Sequence, residues 1–342
     1  MEPITQVLAS VALARCGFKR VTPMALPIIV TAGLAPELDW LSLLGGARVF
    51  LEAHRTATDS LLGILILAAV IAGIFVGIGT RVGKNVRFVP AFLTALAGGG
   101  LHLLLNLANS YGVKLLWPLS SRWFAWDLTA SIDLWILLLL LGGLLLPALF
   151  RMITEEIGAG AKRGAVDRGA ATALVLVALF CCSRFVLHQR AVALLAGREY
   201  RGESANSAGA FPESLSPLAW SGVVDTDDTM SEVEVSLGPG AVFDPESARV
   251  FYKAEESAAL DAARGSAVGA EFLRFARFPL ARVEPTDGGY RITMRDLRFD
   301  SAHAERNVLA EIDVDASGAV TQQTFLFNNE GPGTGEESSG ER

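Results

Sequence analysis

Long apolar runs alternate with short polar connections over roughly the first 196 residues. Six such runs stand out, and 18 or more apolar residues in a row are typical of a membrane-spanning helix. The first two runs are shorter than a full span, so shallow or tilted helices are expected there. The six runs are Ile4–Ala14, Val21–Ala35, Leu61–Gly79, Phe88–Ala108, Ile132–Phe150 and Ala170–Leu187. The pattern predicts an all-α polytopic membrane domain of about six apolar helices.

The pattern changes after Ala196. Residues 197–217 are rich in Gly, Ser, Ala and Pro and are predicted to be a linker. Residues 218–327 then alternate between apolar and polar positions, with turn sequences at Asp287–Gly289 and Asp315–Gly318 and one helix expected at Glu255–Arg264. A small, mostly antiparallel β (α+β) soluble domain is therefore predicted, followed by a polar, disordered tail at 328–342.

Charge divides the chain at the same place. Residues 1–196 carry 16 Lys and Arg against 10 Asp and Glu, a net charge of +6, whereas the remainder carries 13 against 26, a net charge of −13. An acidic soluble half argues against nucleic acid as a partner, and no protein partner of this domain can be named. The composition is 51% hydrophobic with a mean hydropathy of +0.40, in keeping with membrane lipid as the surrounding medium.

The connections between apolar runs differ in basic content. Those around 15–20, 80–87 and 151–168 hold three, three and four Lys and Arg, while those around 36–59 and 109–131 hold two each. The positive-inside rule therefore places the first set in the cytoplasm, and the second set, the N-terminus and the C-terminal domain on the outer, periplasmic face of a bacterial inner membrane. Five of the six tryptophans lie in or beside the second set, namely Trp40, Trp117, Trp123, Trp126 and Trp135.

A polar stripe lies on the otherwise apolar run that ends at Ala108. His102, Asn106 and Asn109 follow at i, i+4 and i+7, so one face of a helix carries all three. Polar groups in such a helix need partners, because leaving them unsatisfied costs free energy. We expect this stripe to meet the segment Pro36–Ser60 and to form a polar pocket at one membrane face.

Candidate chemistry concentrates in these two segments. Imidazole and carboxylate groups are ligands for a divalent metal such as Zn²⁺, with Mn²⁺ as an alternative, and a metal-bound water is a nucleophile near neutral pH. Glu37 or Asp39 is a candidate general base, and Arg55 is a candidate for holding an anionic group of the substrate. The candidate metal ligands are Asp39, His54, Asp59, His102 and Asn106.

A structural interpretation competes with this one. A single His at a helix end is commonly a solvated or capping residue, and Asn side chains often join helices by hydrogen bonds. His188 and His303 lie outside the cluster and are interpreted as structural, and Arg184 near the end of its span must pair or reach the interface. The three cysteines, Cys16, Cys181 and Cys182, lie in apolar stretches and are read as core residues.

The motifs resemble those of the YdjM-type bacterial inner-membrane proteins, described as LexA-regulated metal-dependent hydrolases. The resemblance covers about residues 1–150 and lies in PELD (36–39), HRTATDS (54–60), HLLLNLANSYG (102–112) and LLWP (115–118). Segments at 217–220, 274–279 and 296–299 are similar to the longer members. The family is distantly similar to zinc-dependent phospholipase C and nuclease folds, which implies phosphoester chemistry by analogy alone.

Three positions depart from the pattern of the resembled family. Gln6, Asp59 and Asn106 stand where that pattern has His, His and Asp. Asp59 can still bind a metal, but the two amides are neutral and weaker ligands. Two hypotheses therefore remain: a membrane-bound metal-dependent hydrolase acting on a phosphoester or lipid-linked substrate, and a catalytically inactive membrane scaffold or binding protein that keeps the fold.

Overall fold

The structure is a computed structural model that describes residues 1–156, 165–299 and 307–328. The chain divides into two compact units. Unit 1 comprises residues 1–42, 52–189 and 212–217, and unit 2 comprises residues 43–51, 190–211 and the described residues from 218 onward. The predicted tail lies outside the described residues, apart from residue 328, which ends a strand. Two of the basic residues in the connection 151–168, at positions 162 and 163, also lie outside them.

Seven helices form the N-terminal part of the described chain, with 3₁₀ segments at Phe18–Arg20 and Ala35–Gly45. They are α1 (Pro3–Arg15), α2 (Ala25–Leu34), α3 (Gly46–Ala53), α4 (Leu61–Arg81), α5 (Phe88–Ala108), α6 (Leu134–Glu156) and α7 (Ala165–Ala196). The connection between α5 and α6 is irregular and holds isolated bridges from Asn109 to Thr129 and from Val113 to Phe124.

Four stretches of the described residues are long and apolar enough to cross a membrane: Ala25–Ala53, Leu61–Arg81, Phe88–Ala108 and Arg168–Ala196. Leu134–Phe150 is a shorter apolar helix. The predicted count of about six spans is not confirmed, because α1 has 13 residues, or about 20 Å of helix at 1.5 Å per residue. A helical region with four candidate spans followed by antiparallel sheets is the architecture observed.

Helix α4 has the sequence of a lipid-facing span. Ser60 caps its N-terminus by accepting a hydrogen bond from the Gly63 amide at 2.9 Å. Its 21 residues contain no charge before Arg81. Side chains on one side pack inward, while Leu65, Ile66 and Val70 on the other are about half exposed. A soluble protein rarely leaves a continuous apolar surface of this kind open to water.

Two apolar clusters hold unit 1 together. One joins α1, α5, α6 and α7 through residues such as Leu105, Ile136 and Leu140. The other joins α2, α4 and α5 through Ile28, Ile71 and neighbouring alanines. Alanine and glycine at these contacts allow close helix packing, the usual arrangement in membranes. Helix α5 belongs to both clusters, which places its polar stripe in the interior.

Unit 2 contains the predicted antiparallel β structure. The strands are β1 (Glu199–Tyr200), β2 (Glu203–Ser204), β3 (Ser207–Pro212), β4 (Ala219–Asp225), β5 (Thr229–Ser236), β6 (Arg249–Tyr252), β7 (Pro279–Thr286), β8 (Gly289–Asp296), β9 (Asn307–Asp315) and β10 (Val320–Asn328). Two four-stranded sheets have the orders β3-β4-β5-β6 and β10-β9-β8-β7, and β1 pairs with β2. The segment predicted to be a linker thus contains β1 to β3.

Both predicted hairpin turns are present. Asp287 and Gly288 connect β7 to β8, and Asp315 accepts hydrogen bonds from the amides of Ser317 and Ala319 between β9 and β10. The predicted helix corresponds to α8 (Ala258–Gly265), and α9 (Ala267–Phe275) follows it directly. Phe211, Val223 and Phe278 belong to the apolar core of this unit.

Candidate functional site

The polar pocket lies where α4 begins and α5 ends. The two helices are consecutive and antiparallel, so the start of one and the end of the other lie at the same end of the bundle. The Leu61 amide donates to the Leu115 carbonyl at 3.0 Å, which ties the two connections together. Segment 54–60, the 3₁₀ segment from Ala35 and the C-terminal half of α5 therefore surround one site.

Asp59, His102 and Asn106 form the centre of this site. Asp59 Oδ1 lies 3.1 Å from His102 Nε2, and Asn106 Nδ2 donates to the same oxygen at 2.6 Å. Asn106 Nδ2 is also 2.9 Å from His102 Nε2. All three residues are at most 2% exposed. The helical stripe and the preceding connection thus meet as the sequence predicts.

The Gly33 carbonyl fixes the tautomer of His102. His102 Nδ1 lies 2.7 Å from the Gly33 oxygen, which can only accept, so Nδ1 carries a proton. Nε2 is therefore the ring atom that faces Asp59 Oδ1 and Asn106 Nδ2. Histidine ligands of metals commonly have this arrangement, in which the second ring nitrogen donates to a carbonyl or carboxylate.

Helix α1 orients the Asn106 amide. Gln6 Nε2 donates to Asn106 Oδ1 at 3.2 Å, and the Met1 amino nitrogen donates to the same oxygen at 2.8 Å. With its oxygen engaged by two donors, the amide directs Nδ2 toward Asp59 and His102. Gln6 and Asn106, which replace ionisable residues of the resembled family pattern, therefore contact each other directly.

Asp59 is held as a carboxylate. Its burial raises the pKa, but the charge of His102, the hydrogen bonds from His102 and Asn106, and the charge of Arg55 together outweigh that effect. The result is a pKa well below the usual range for aspartate. A buried, ionised carboxylate facing an imidazole nitrogen is the most polar feature of this unit.

Asp39 and His54 form a second pair. His54 Nδ1 lies 3.0 Å from Asp39 Oδ1, and the Arg55 amide donates to Asp39 Oδ2 at 2.7 Å. The Thr58 hydroxyl lies 3.4 Å from both Asp39 Oδ2 and Asp59 Oδ2, so it stands between the two pairs. Asp39 thereby orients His54, in the way a carboxylate orients a catalytic imidazole.

Arg55 is a buried cation beside these pairs. It is 4% exposed and has a left-handed backbone with φ of 53°. Its Nη1 donates to Asn109 Oδ1 at 3.1 Å, and its guanidinium lies 4.8 Å from the centre of the Tyr111 ring. Asn109 also accepts from the Tyr111 amide at 2.8 Å and donates to Ser131 at 3.1 Å. The third residue of the stripe thus positions Arg55.

The structure does not place Glu37 in this network. The Glu37 carboxylate accepts a hydrogen bond from the Trp40 indole at 2.9 Å in an exposed position. Of the two carboxylates predicted as a general base, Asp39 is the one that contacts a site histidine. His188 lies half-buried in α7, and His303 lies outside the described residues.

The sequence does not predict every contact at the site. Those of the Gly33 carbonyl, Thr58 and Tyr111 are unexpected, and so is the contact of Gln6 with Asn106. A carbonyl partner has no side-chain pattern, so the sequence gives no indication of it. Tyr111 lies within the quoted NSYG motif, and its ring lies 5.3 Å from that of His54.

The residues of the site can be compared with the ligands that a divalent metal ion requires. Within residues 1–156, 165–299 and 307–328, no group of three or more His, Cys, Asp or Glu side chains has the arrangement of a metal site. Asp59 Oδ1 and His102 Nε2 face each other at 3.1 Å, a separation compatible with two ligands of one cation. Asn106, as oriented, contributes N–H groups and no ligand atom. The site thus offers two candidate protein ligands for a divalent cation, Asp59 and His102.

The fold and site define a membrane protein with a buried histidine–carboxylate pocket at one end of its helical bundle. A family model described as YdjM inner membrane protein matches residues 1–191. The chain therefore belongs to the YdjM inner membrane protein family, as its motifs indicate. No curated protein and no solved structure gives a significant match. The strands β1 to β10 lie beyond the matched residues.

Proposed function

We propose that this chain is a membrane-bound hydrolase that uses a divalent cation held by Asp59 and His102. The observation that carries the proposal is the contact of His102 Nδ1 with the Gly33 carbonyl at 2.7 Å, which leaves Nε2 facing the Asp59 carboxylate. A bound cation of this kind polarises an ester and lowers the pKa of water. Substrates of the proposed class are phosphoesters or lipid-linked esters.

The remaining residues divide into three roles in this proposal. His54, oriented by Asp39 at 3.0 Å, acts as the general base. Arg55 holds an anionic oxygen of the substrate, since guanidinium matches phosphate geometry. Asn109 and Tyr111 position Arg55 through the contacts at 3.1 Å and 4.8 Å. Glu37, bonded to Trp40, has no role in the chemistry.

The reaction balances without a further reactant. Water loses a proton to His54 as its oxygen bonds to the phosphorus or carbonyl carbon. The bond from that centre to the leaving oxygen breaks, and the leaving oxygen takes a proton back from the imidazolium. The products are an alcohol and an acid, and the site returns to its starting protonation state.

Metal content and turnover of purified protein test the proposal. Protein loaded with Mn²⁺ or Zn²⁺ is expected to keep about one equivalent and to hydrolyse a model phosphodiester. Asp59→Asn and His102→Ala should lower both metal content and turnover, whereas Asp39→Asn should lower turnover and spare metal content. Glu37→Gln is the matched control and should change neither. Absence of bound metal in the wild-type protein would overturn the proposal.

A non-catalytic scaffold or binding protein is the second candidate, favoured by one observation. Asn106 Nδ2 donates to Asp59 Oδ1 at 2.6 Å and lies 2.9 Å from His102 Nε2, so both proposed ligands have a partner without a cation. Asn106→Asp separates the two functions. If the protein is a scaffold, Asn106 occupies the two ligands and only the variant should bind metal. If the protein is the proposed hydrolase, both the wild type and the variant should bind metal.

We also propose that the pocket and the β unit face the periplasm, as the Lys and Arg distribution predicts. In a background without the native cysteines, Asp228→Cys in the β unit should react with an impermeant maleimide in cells with a permeabilised outer membrane. Lys84→Cys, between α4 and α5, should react only after the inner membrane is opened. The reverse labelling pattern would contradict this orientation.

A further inference from the structure

Four rings connect the surface of unit 1 to its pocket. Trp40 lies 5.1 Å from His54, His54 lies 5.3 Å from Tyr111, and Tyr111 lies 5.8 Å from Trp123, measured between ring centres. All three contacts are edge-to-face, the geometry that aromatic quadrupoles favour. We call these four residues the aromatic ladder. It runs from Trp40, which is 38% exposed, through the buried rings of His54 and Tyr111 to the half-buried Trp123.

Two cations lie against the ladder. The Arg55 guanidinium is 4.8 Å from the Tyr111 ring centre, and Lys114 Nζ is 5.1 Å from the Trp123 ring centre. The Lys114 amide donates to the Arg55 carbonyl at 3.1 Å, so the two residues are neighbours although they belong to different connections. Cation–π contacts hold a positive charge in place beside an aromatic ring.

Arg55 keeps its charge available to an anion. Its guanidinium donates to the neutral Asn109 amide oxygen at 3.1 Å. None of the carboxylates that the structure describes forms an ion pair with Arg55. The charge of Arg55 lowers the pKa of Asp59 through space. A buried cation is costly unless negative charge lies near it, and Asp59 supplies some of that charge through space. An anionic ligand in contact with the guanidinium would add to it.

We infer that the ladder with Arg55 and Lys114 binds the phosphate end of an amphiphile. The phosphate contacts the two cations, and the apolar portion follows the rings toward Trp40 and the lipid. Tryptophan and tyrosine favour the membrane–water boundary, where one side of a ligand is apolar and the other is wet. The inference rests on the proposed function for the fate of the bound molecule and names its substrate class, a lipid phosphate ester.

Tryptophan fluorescence of the full-length protein in neutral detergent, with chelator present, tests binding apart from catalysis. Short-chain phosphatidic acid should quench or shift the emission saturably, whereas short-chain phosphatidylcholine and inorganic phosphate should bind at least tenfold more weakly. Arg55→Gln and Lys114→Gln should each weaken phosphatidic acid binding about tenfold. Arg122→Gln is the matched control, because Arg122 is exposed on the same connection and lies 5.4 Å from the Phe124 ring.

Each outcome has a defined meaning. Equal binding by the wild type and by Lys114→Gln, with the variant's melting temperature unchanged, would overturn the inference. Equal affinity for inorganic phosphate would overturn it as well, because it would indicate a site for free phosphate. If phosphatidic acid binds as expected but no ester is hydrolysed, the inference holds and the hydrolase proposal fails. If a soluble phosphodiester is hydrolysed but the lipid is not bound, the reverse is true.

Discussion

Asp59 Oδ1 and His102 Nε2 lie 3.1 Å apart although the residues are 43 positions apart in the chain. One residue precedes α4 and the other faces inward from α5, so their contact joins two consecutive candidate spans at a single point. Both side chains are about 1% exposed. The contact is therefore a tertiary constraint on the helical unit as well as the centre of the proposed site.

Removing the Asp59 carboxylate should destabilise the helical unit strongly. Asp59→Ala leaves His102 Nε2 and Asn106 Nδ2 without their shared acceptor in a buried position, and breaking a buried pair costs about 3–5 kcal/mol. Thermal unfolding in detergent should report a clear loss of stability. Glu37→Ala is the comparison, since its carboxylate is bonded in an exposed position, and a change of less than about 0.5 kcal/mol is expected.

The helical unit should become less stable as the pH falls into the acidic range. The pKa of Asp59 is lower in the folded protein than in an unfolded chain. Its contribution is thus fully present above about pH 4, the ordinary range of an aspartate, and is lost as the pH falls further. Melting temperatures between pH 7 and pH 3 should decline below about pH 4. Asp59→Asn should show a shallower decline; identical curves would contradict the assignment.

Helix α5 packs too closely on α2 for a methyl group at Gly98. A Cβ there would lie 2.6 Å from the Ile29 carbonyl oxygen, which belongs to the backbone and cannot move aside. Gly98→Ala should therefore reduce stability by about 1–3 kcal/mol. Gly100→Ala, two residues along the same helix, meets nothing within 4 Å and should be neutral or stabilising by up to about 1 kcal/mol. Equal melting temperatures for the two variants would contradict this packing.

In the β unit, two Arg–Asp pairs should differ sharply in their contribution. Asp296 is buried and accepts from Arg298 Nε at 2.8 Å and from the amides of Arg277 and Phe278 at 2.9 and 3.3 Å. Asp313 pairs with Arg291 at 2.8 Å on the surface. Asp296→Asn should cost about 3 kcal/mol, and Asp313→Asn less than about 1 kcal/mol. Denaturant unfolding followed by far-UV circular dichroism measures both.

Much of the architecture follows from patterns in the sequence. The period of His102, Asn106 and Asn109 correctly predicts one inward-facing stripe, and alternation correctly predicts strands in β5, β8 and β9. Arg184 was expected to pair, and its Nε donates to the Leu128 carbonyl at 2.9 Å. These features depend on local periodicity or on the cost of leaving a charge unsatisfied, both of which can be read from residue types.

Other features depend on contacts that residue types do not encode. Helix α2 ends at Leu34, within one residue of the predicted end of its apolar run, but the run does not predict the 3₁₀ segment Ala35–Gly45 that follows. The direction of the Asn106 amide depends on Gln6 from a distant helix. The proposed metal, the catalytic roles and the orientation in the membrane stay predictions, because hydrophobic pattern and spacing determine none of them.

Ser60 caps α4 directly after Asp59, while His102 lies in the last half of the following helix. Because synthesis proceeds from the N-terminus, Asp59 joins the growing chain before any residue of α5. Its carboxylate can become buried only after α4 and α5 have paired, so the polar interior of the helical unit is completed by the second helix of this hairpin.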